Sequence, residues 1–116
     1  QLRIGFIGAG GIACRHRDVL RGMEDVRIAA VFDTDRARAQ GFAEEAGAKV
    51  YEDWPAMLSS GEIDAVFICV PPFAHGAIED AVIAAGLPFF VEKPVALSLV
   101  AAERIADAVE KHGLVT

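Results

Sequence analysis

Cysteine is scarce: the 116 residues hold two, Cys14 and Cys69, without C-x-x-C spacing. That excludes a disulfide framework, and reduced thiols acting as small apolar filler are the default expectation. No spacing of His, Cys, Asp or Glu suggests a metal site. Long apolar runs are missing too, none approaching the roughly 18 residues of a membrane-crossing helix. No basic start leads into an apolar stretch, so no secretory signal is expected, and Gln1 in place of Met points to a trimmed beginning. Positive charge is in deficit, with 11 Lys and Arg against 17 Asp and Glu and a net charge of -6. This disfavours non-specific binding to nucleic acid or to an anionic membrane. Together these absences favour a cytoplasmic globular protein. Its hydrophobic fraction of 53% over 116 residues provides for one core, and the length is too short for two domains.

Strand-like and helix-like patterns alternate along the chain. "LRIGFIG" reads as a first strand, followed by a helix from Gly11 to about Arg21. "VRIAAVFD", Val26 to Asp33, is a β-branched second strand, and the helical stretch after it is stopped by Gly47. "KVY" makes a short third strand before a brief helix capped by Asp53, with Pro55 in its tolerant first turn. "IDAVFICV", Ile63 to Val70, is apolar at nearly every position, as in a strand covered on both faces, so it is expected to be central and parallel. Pro71 and Pro72 end it, and "FAHGAIEDAVIAAG" is the next helix, closed by Gly86. "LPFFVEKP" holds a fifth strand, and a last helix runs from a Ser98 cap to Gly113, with Lys111 and His112 in its final turn. "LVT" is placed to open a sixth strand. The alternation predicts an α/β protein with a doubly wound parallel sheet in three layers, α/β/α, as a single domain over residues 1–116.

Between the first strand and the first helix the sequence reads Gly8-x-Gly10-x-x-Ala13. Gly8 allows the tight turn, Gly10 leaves room for a pyrophosphate, and Ala13 lets the helix lie close to the sheet. Gly11 widens the mouth of the turn. Phosphates there would meet unpaired N–H groups and the positive end of the helix dipole. The alternative is a plain packing turn between strand and helix. Asp33 ends the second strand about 20 positions later, where an acid accepts hydrogen bonds from adenosine ribose hydroxyls. It also fits a helix-capping role, which Asp35 shares. An acid at this point repels a 2′-phosphate, favouring NAD over NADP, although Arg36 and Arg38 stand nearby to offset it.

"VPPFAH", Val70 to His75, and "VEKP", Val91 to Pro94, each follow a strand and so belong to the carboxyl edge of the sheet. With the glycine turn, these segments resemble the amino-terminal NAD(P)-binding Rossmann domain of the Gfo/Idh/MocA family of sugar and polyol oxidoreductases, over essentially the whole chain. The resemblance implies that Gly8, Gly10 and Ala13 seat the pyrophosphate and that Asp33 holds the adenosine ribose. It implies that Val70, Pro71 and Pro72 line the cofactor cleft, through main chain and rings where family members often carry Thr-Pro-Asn. Glu92 is then expected at the nicotinamide ribose, and Lys93 at the nicotinamide and the reacting hydroxyl or carbonyl. A cation there stabilises the alkoxide character that develops as hydride leaves; the alternative is a surface lysine pairing with Glu92. The resemblance also implies a cis bond between Lys93 and Pro94.

His75, near the start of the helix after Pro72, suits neutral imidazole bonded to backbone in a structural role. His16 and His112 also read as structural. Trp54, Phe89 and Phe90 read as packing, and Glu44, Glu45, Glu103 and Glu110 as solvated helix faces. Family members continue into an α+β substrate domain, usually with the homo-oligomer interface, and the resemblance implies that this domain is absent here. The chain is then either a fragment or a stand-alone module, inactive alone toward sugar or polyol. Two other functions stay open: a non-catalytic nucleotide-binding module, and an S-adenosylmethionine-binding domain, which shares the glycine turn and the acid after the second strand.

Overall fold

A computed structural model describes residues 1–116. The strands are β1 (Leu2–Ile7), β2 (Val26–Phe32), β3 (Lys49–Val50), β4 (Ala65–Ile68) and β5 (Phe89–Val91). The helices are α1 (Gly11–Leu20), α2 (Arg36–Ala46), α3 (Trp54–Ser59), α4 (Ala77–Ala84) and α5 (Leu99–His112). The sheet has five strands in the order β3-β2-β1-β4-β5, every pairing parallel. The chain winds outward from β1 to β3, then returns to the other side of β1 and winds outward again. The order therefore reverses between β1 and β4, and the crevice beyond their carboxyl ends is where open α/β sheets bind ligands.

Two cores follow from the period-2 alternation of the strands. Ile4 and Phe6 of β1 join Ile28, Val31, Phe42 and Ala13 beneath α1 and α2. Ile7 joins Val66, Ile68, Val82, Phe89 and Ile105 beneath α3, α4 and α5. β2 changes phase on the way: the register with β1 slips between Ile4 and Gly5, passing from Ile28 to Ala30. Ala29 and Ala30 consequently face the same core, as an extra residue in a strand requires. Phe6 has no exposed surface, and burying a side chain of that size contributes roughly 1.5–3 kcal/mol.

Glu45 does more than solvate a helix face. Arg17 of α1 is only 5% exposed, and its Nη2 meets Glu45 Oε2 at 2.7 Å and Asp18 Oδ1 at 2.8 Å. Its guanidinium lies 5.2 Å from the centre of the Phe42 ring. This joins α1 to α2 across the first core.

The termini of most helices follow their capping residues. The Asp35 carboxylate accepts from Arg38 N–H at 3.1 Å, Asp53 from Ala56 N–H at 2.7 Å and Ser98 from Ala101 N–H at 3.2 Å. Gly47 and Gly113 close α2 and α5 in the left-handed conformation. Two expectations need correction. The helix expected from Phe73 starts only at Ala77: Pro72–Ala74 make a single 3₁₀ turn, and Gly76, at φ +115°, breaks the path between the two. No sixth strand forms at Leu114–Thr116, where the one ladder-like bond runs from Phe89 N–H to Val115 O at 3.1 Å. β4 is also shorter than its apolar run: Ile63 packs into the core ahead of the strand, and Cys69 after it still donates its N–H to Ile7 O at 2.8 Å and is buried in the first core.

Candidate functional site

A cavity of about 780 Å³ opens at the carboxyl ends of β1, β2, β4 and β5. Gly8 and Gly10 line it just past the end of β1, and Glu92 and Lys93 line the same cavity just past the end of β5. Its size falls within the range of small-molecule and cofactor pockets.

The two cavity-lining glycines serve different ends. Gly8 sits at φ +100°, and a Cβ there would lie 2.0 Å from the Cys69 carbonyl oxygen. Side chains are thus excluded where β1 and β4 approach each other. Gly10 has an ordinary extended backbone, φ -77° and ψ -171°, and a Cβ would meet nothing within 4 Å. Neither backbone nor packing requires glycine at this position, so its bareness matters only to something entering the cavity. Directly after it, α1 begins with no side-chain cap, whereas α2, α3 and α5 each have one. The first-turn N–H groups of α1 are left as donors, with the positive end of the helix dipole behind them. That bare cradle and free donor set fit a diphosphate.

Asp33 is not the helix cap; Asp35 is. One Asp33 oxygen accepts from Ala9 N–H and the other from Asp35 N–H, both at 2.8 Å. The carboxylate thereby ties the end of β2 to the glycine turn, and each oxygen keeps acceptor capacity on the cavity it lines. Arg36 is engaged by Glu52, leaving Arg38 as the arginine on the cavity wall.

At the other end, Glu92 N–H donates to Ile68 O at 2.9 Å. Its Oε1 lies 2.8 Å from His16 Nε2, and its Oε2 accepts from Lys93 N–H at 3.2 Å. The hydrogen bond from His16 first, then the Lys93 N–H and the Lys93 charge, hold the Glu92 carboxyl below the usual carboxylate range. The Lys93 ammonium takes no part in the ion pairs of the molecule, so it does not pair with Glu92 as a surface lysine would. The Lys93–Pro94 bond is cis. Cys69 also lines the cavity, but burial, with the Glu92 charge adding, pushes its thiol up to about 12. It stays protonated and serves as filler.

Val70 and Pro71 line the cavity with these residues, whereas Gly11, Ala13 and Pro72 do not. Ala13 is fully buried in the core between α1 and the sheet, where its small size sets the approach of the helix. Gly11 and Pro72 are exposed at the rim. Thr34, Trp54, Phe73, Ala77 and Ile78 line the cavity without having been singled out for it. Trp54 packs against the second core while also presenting surface to the cavity. Phe73 carried the clearest signal, a large aromatic in a loop after a strand, and it is 77% exposed.

His75 needs correcting in its partner. It lies in extended backbone ahead of α4, and its Nδ1 contacts Glu79 Oε1 at 2.5 Å, rather than the main chain. The other Glu79 oxygen accepts from Gly76 N–H at 2.6 Å. Both side chains are fully buried, and His75 Nε2 has no partner. The pair fastens the loop to α4 and does not reach the cavity.

A doubly wound parallel sheet with a bare, uncapped strand-to-helix turn at its switch point defines a nucleotide-binding domain. Residues 2–116 match the family model described as "Oxidoreductase family, NAD-binding Rossmann fold" of GFO_IDH_MocA. The chain belongs to the Gfo/Idh/MocA oxidoreductases, as their NAD-binding Rossmann domain. It is 36% identical over 115 residues to the inositol 2-dehydrogenase of Paracoccus denitrificans, covering 97% of this chain and 34% of that protein. Among solved structures, GenD2 from gentamicin A biosynthesis, in complex with NAD, superposes with a TM-score of 0.94 at 30% identity. That match covers 98% of this chain and 33% of GenD2. Biliverdin reductase from Synechocystis sp. PCC 6803, with biliverdin and NADP+, gives a TM-score of 0.92 at 28% identity, over 98% of this chain and 36% of that one. The chain thus spans about a third of the length of the relatives it matches.

Proposed function

We propose that these 116 residues form the cofactor-binding part of an enzyme that moves hydride between a sugar or polyol hydroxyl and nicotinamide. The observation that carries this reading is one cavity lined both by an uncapped glycine turn after β1 and by an unpaired lysine after β5. The N–H groups of the α1 start and the bare Gly10 hold the diphosphate, with Gly11 at the mouth and Ala13 setting the helix behind them. Asp33 accepts from the adenosine ribose, Val70 and Pro71 shape the cleft wall, and Pro72 stands at its rim. Glu92 stands by the nicotinamide ribose. When bound, the dinucleotide supplies a hydride donor or acceptor. Lys93 Nζ donates a hydrogen bond to the oxygen of the reacting carbon and stabilises its negative charge as hydride departs. The likeness to inositol 2-dehydrogenases supports a polyol as the substrate class.

Substrate selection falls to residues beyond this domain, in a homo-oligomeric, cytoplasmic parent enzyme. Leu97, Leu99 and Val100 are 72%, 74% and 76% exposed just past Lys93, which supports a covering partner at that end. The domain alone binds NADH without turning over a polyol. Titration with NADH, NADPH and S-adenosylmethionine tests the reading, with the tightest binding expected for NADH. Preference for S-adenosylmethionine overturns it, and a folded chain that binds none of the three supports a non-catalytic module.

A further inference from the structure

β5 is separated from β1 by β4, yet a side chain of α1, the helix that follows β1, reaches the end of β5. The His16 ring stands edge-on to Phe67 of β4 and Phe90 of β5, at centroid distances of 5.4 and 5.0 Å. Held by those two rings, it brings Nε2 to 2.8 Å from Glu92 Oε1. An ionised carboxylate only accepts, so Nε2 carries the proton and donates. The other Glu92 oxygen accepts from Lys93 N–H at 3.2 Å. Glu92 is therefore gripped on one side by the helix that opens at the glycine turn, and on the other it holds the peptide from which Lys93 projects. No further side-chain hydrogen bond from α1 reaches the end of β5.

We propose that His16 is a positioning residue that couples the two ends of the cleft, fixing the placement of Lys93 through the Glu92 carboxylate. The start of α1 faces the diphosphate and its sixth residue controls the lysine turn, so seating the one and aiming the other become parts of one hydrogen-bonded strut. This rests on the dinucleotide reading given above. An ordinary helix-to-sheet fastener in the same place would matter to stability alone, and would affect every ligand of the cleft alike.

Calorimetric titration of the full chain with NADH and with ADP, which lacks the nicotinamide riboside, separates the two. His16→Leu is expected to weaken NADH binding about fivefold, the low end of site-to-site coupling, while ADP binding stays within about twofold. His16→Gln, whose amide N–H can replace the imidazole donor, is expected to recover most of the NADH affinity. In a Lys93→Ala background, His16→Leu is expected to change NADH affinity no further. Equal weakening of both ligands, no weakening of either, or an undiminished effect in the Lys93→Ala background each overturns the coupling while leaving the dinucleotide reading intact. Should His16→Leu not fold, His16→Asn, too short to span to Glu92, takes its place. A wild-type chain that binds neither ligand brings down the dinucleotide reading itself, and the strut with it.

Discussion

The two ends of the cleft are built from different material. At the glycine end the surface is main chain: a turn without side chains, free N–H groups, and one carboxylate, Asp33, that braces the turn from the neighbouring strand. At the lysine end it is side chain, with His16 and Glu92 meeting across 76 positions of sequence and two aromatic rings holding the imidazole in place. A site made of backbone depends on the order of adjacent residues. A site made of side chains depends on which distant elements the topology brings together.

That contrast is open to direct attack, beginning with Gly8. Gly8→Ala drives a Cβ to 2.0 Å from the Cys69 carbonyl at a backbone angle of φ +100°, so the expected loss is about 3 kcal/mol or more. Denaturant unfolding measures it, and a loss below 1 kcal/mol would show that the turn is looser than its geometry. Gly10→Ala should do the reverse. Nothing lies within 4 Å of the added methyl, so the expected loss of stability is at most about 1 kcal/mol, that of alanine at a helix N-cap. NADH affinity should fall about tenfold or more, a difference of about 1.4 kcal/mol.

At the other end, Lys93→Ala should leave the unfolding midpoint unchanged, since the ammonium has no ion-pair partner. Its expected effect is a several-fold loss for NADH with little for ADP, read by the same titrations. The smallest effect lies away from both ends, at the opposite edge of the sheet. Arg3 hydrogen-bonds the Asp64 carboxyl at 2.7 and 2.9 Å and holds it down to about 2 from its ordinary 3.8. A carboxylate depressed on folding stabilises above its unfolded value, and that contribution fades as pH falls from about 4 toward 2. Unfolding curves across that window should show a steeper acid loss for wild type than for Asp64→Asn. The pair is exposed, so the difference is small, and NADH affinity should be unchanged.

Legibility in the sequence follows the same division. The alternation of strands and helices predicted the order of elements, because each cap and each apolar run is local: Asp53, Ser98, Gly47 and Gly113 act where they stand. The glycine turn and Asp33 were legible for the same reason. The lysine end was reached only through the resemblance carried by Val91 to Pro94, since nothing local announces that His16 will meet Glu92. His75 and Glu79 are only four positions apart, yet their pairing was missed. Gly76, with its positive φ, places the imidazole outside the helix, and no helical spacing rule covers that geometry. Glu45 lies on a solvated helix face as expected, but its pairing with the buried Arg17 was not legible, because that arginine belongs to another helix.

A single titration of isotope-labelled chain with NADH, followed by amide chemical shifts, tests the cleft as a whole. Gly10 and Lys93 amides should both move, with one shared dissociation constant, because one molecule touches both. Shifts confined to one end, or centred on a surface away from the carboxyl edge of the sheet, would contradict the dinucleotide account.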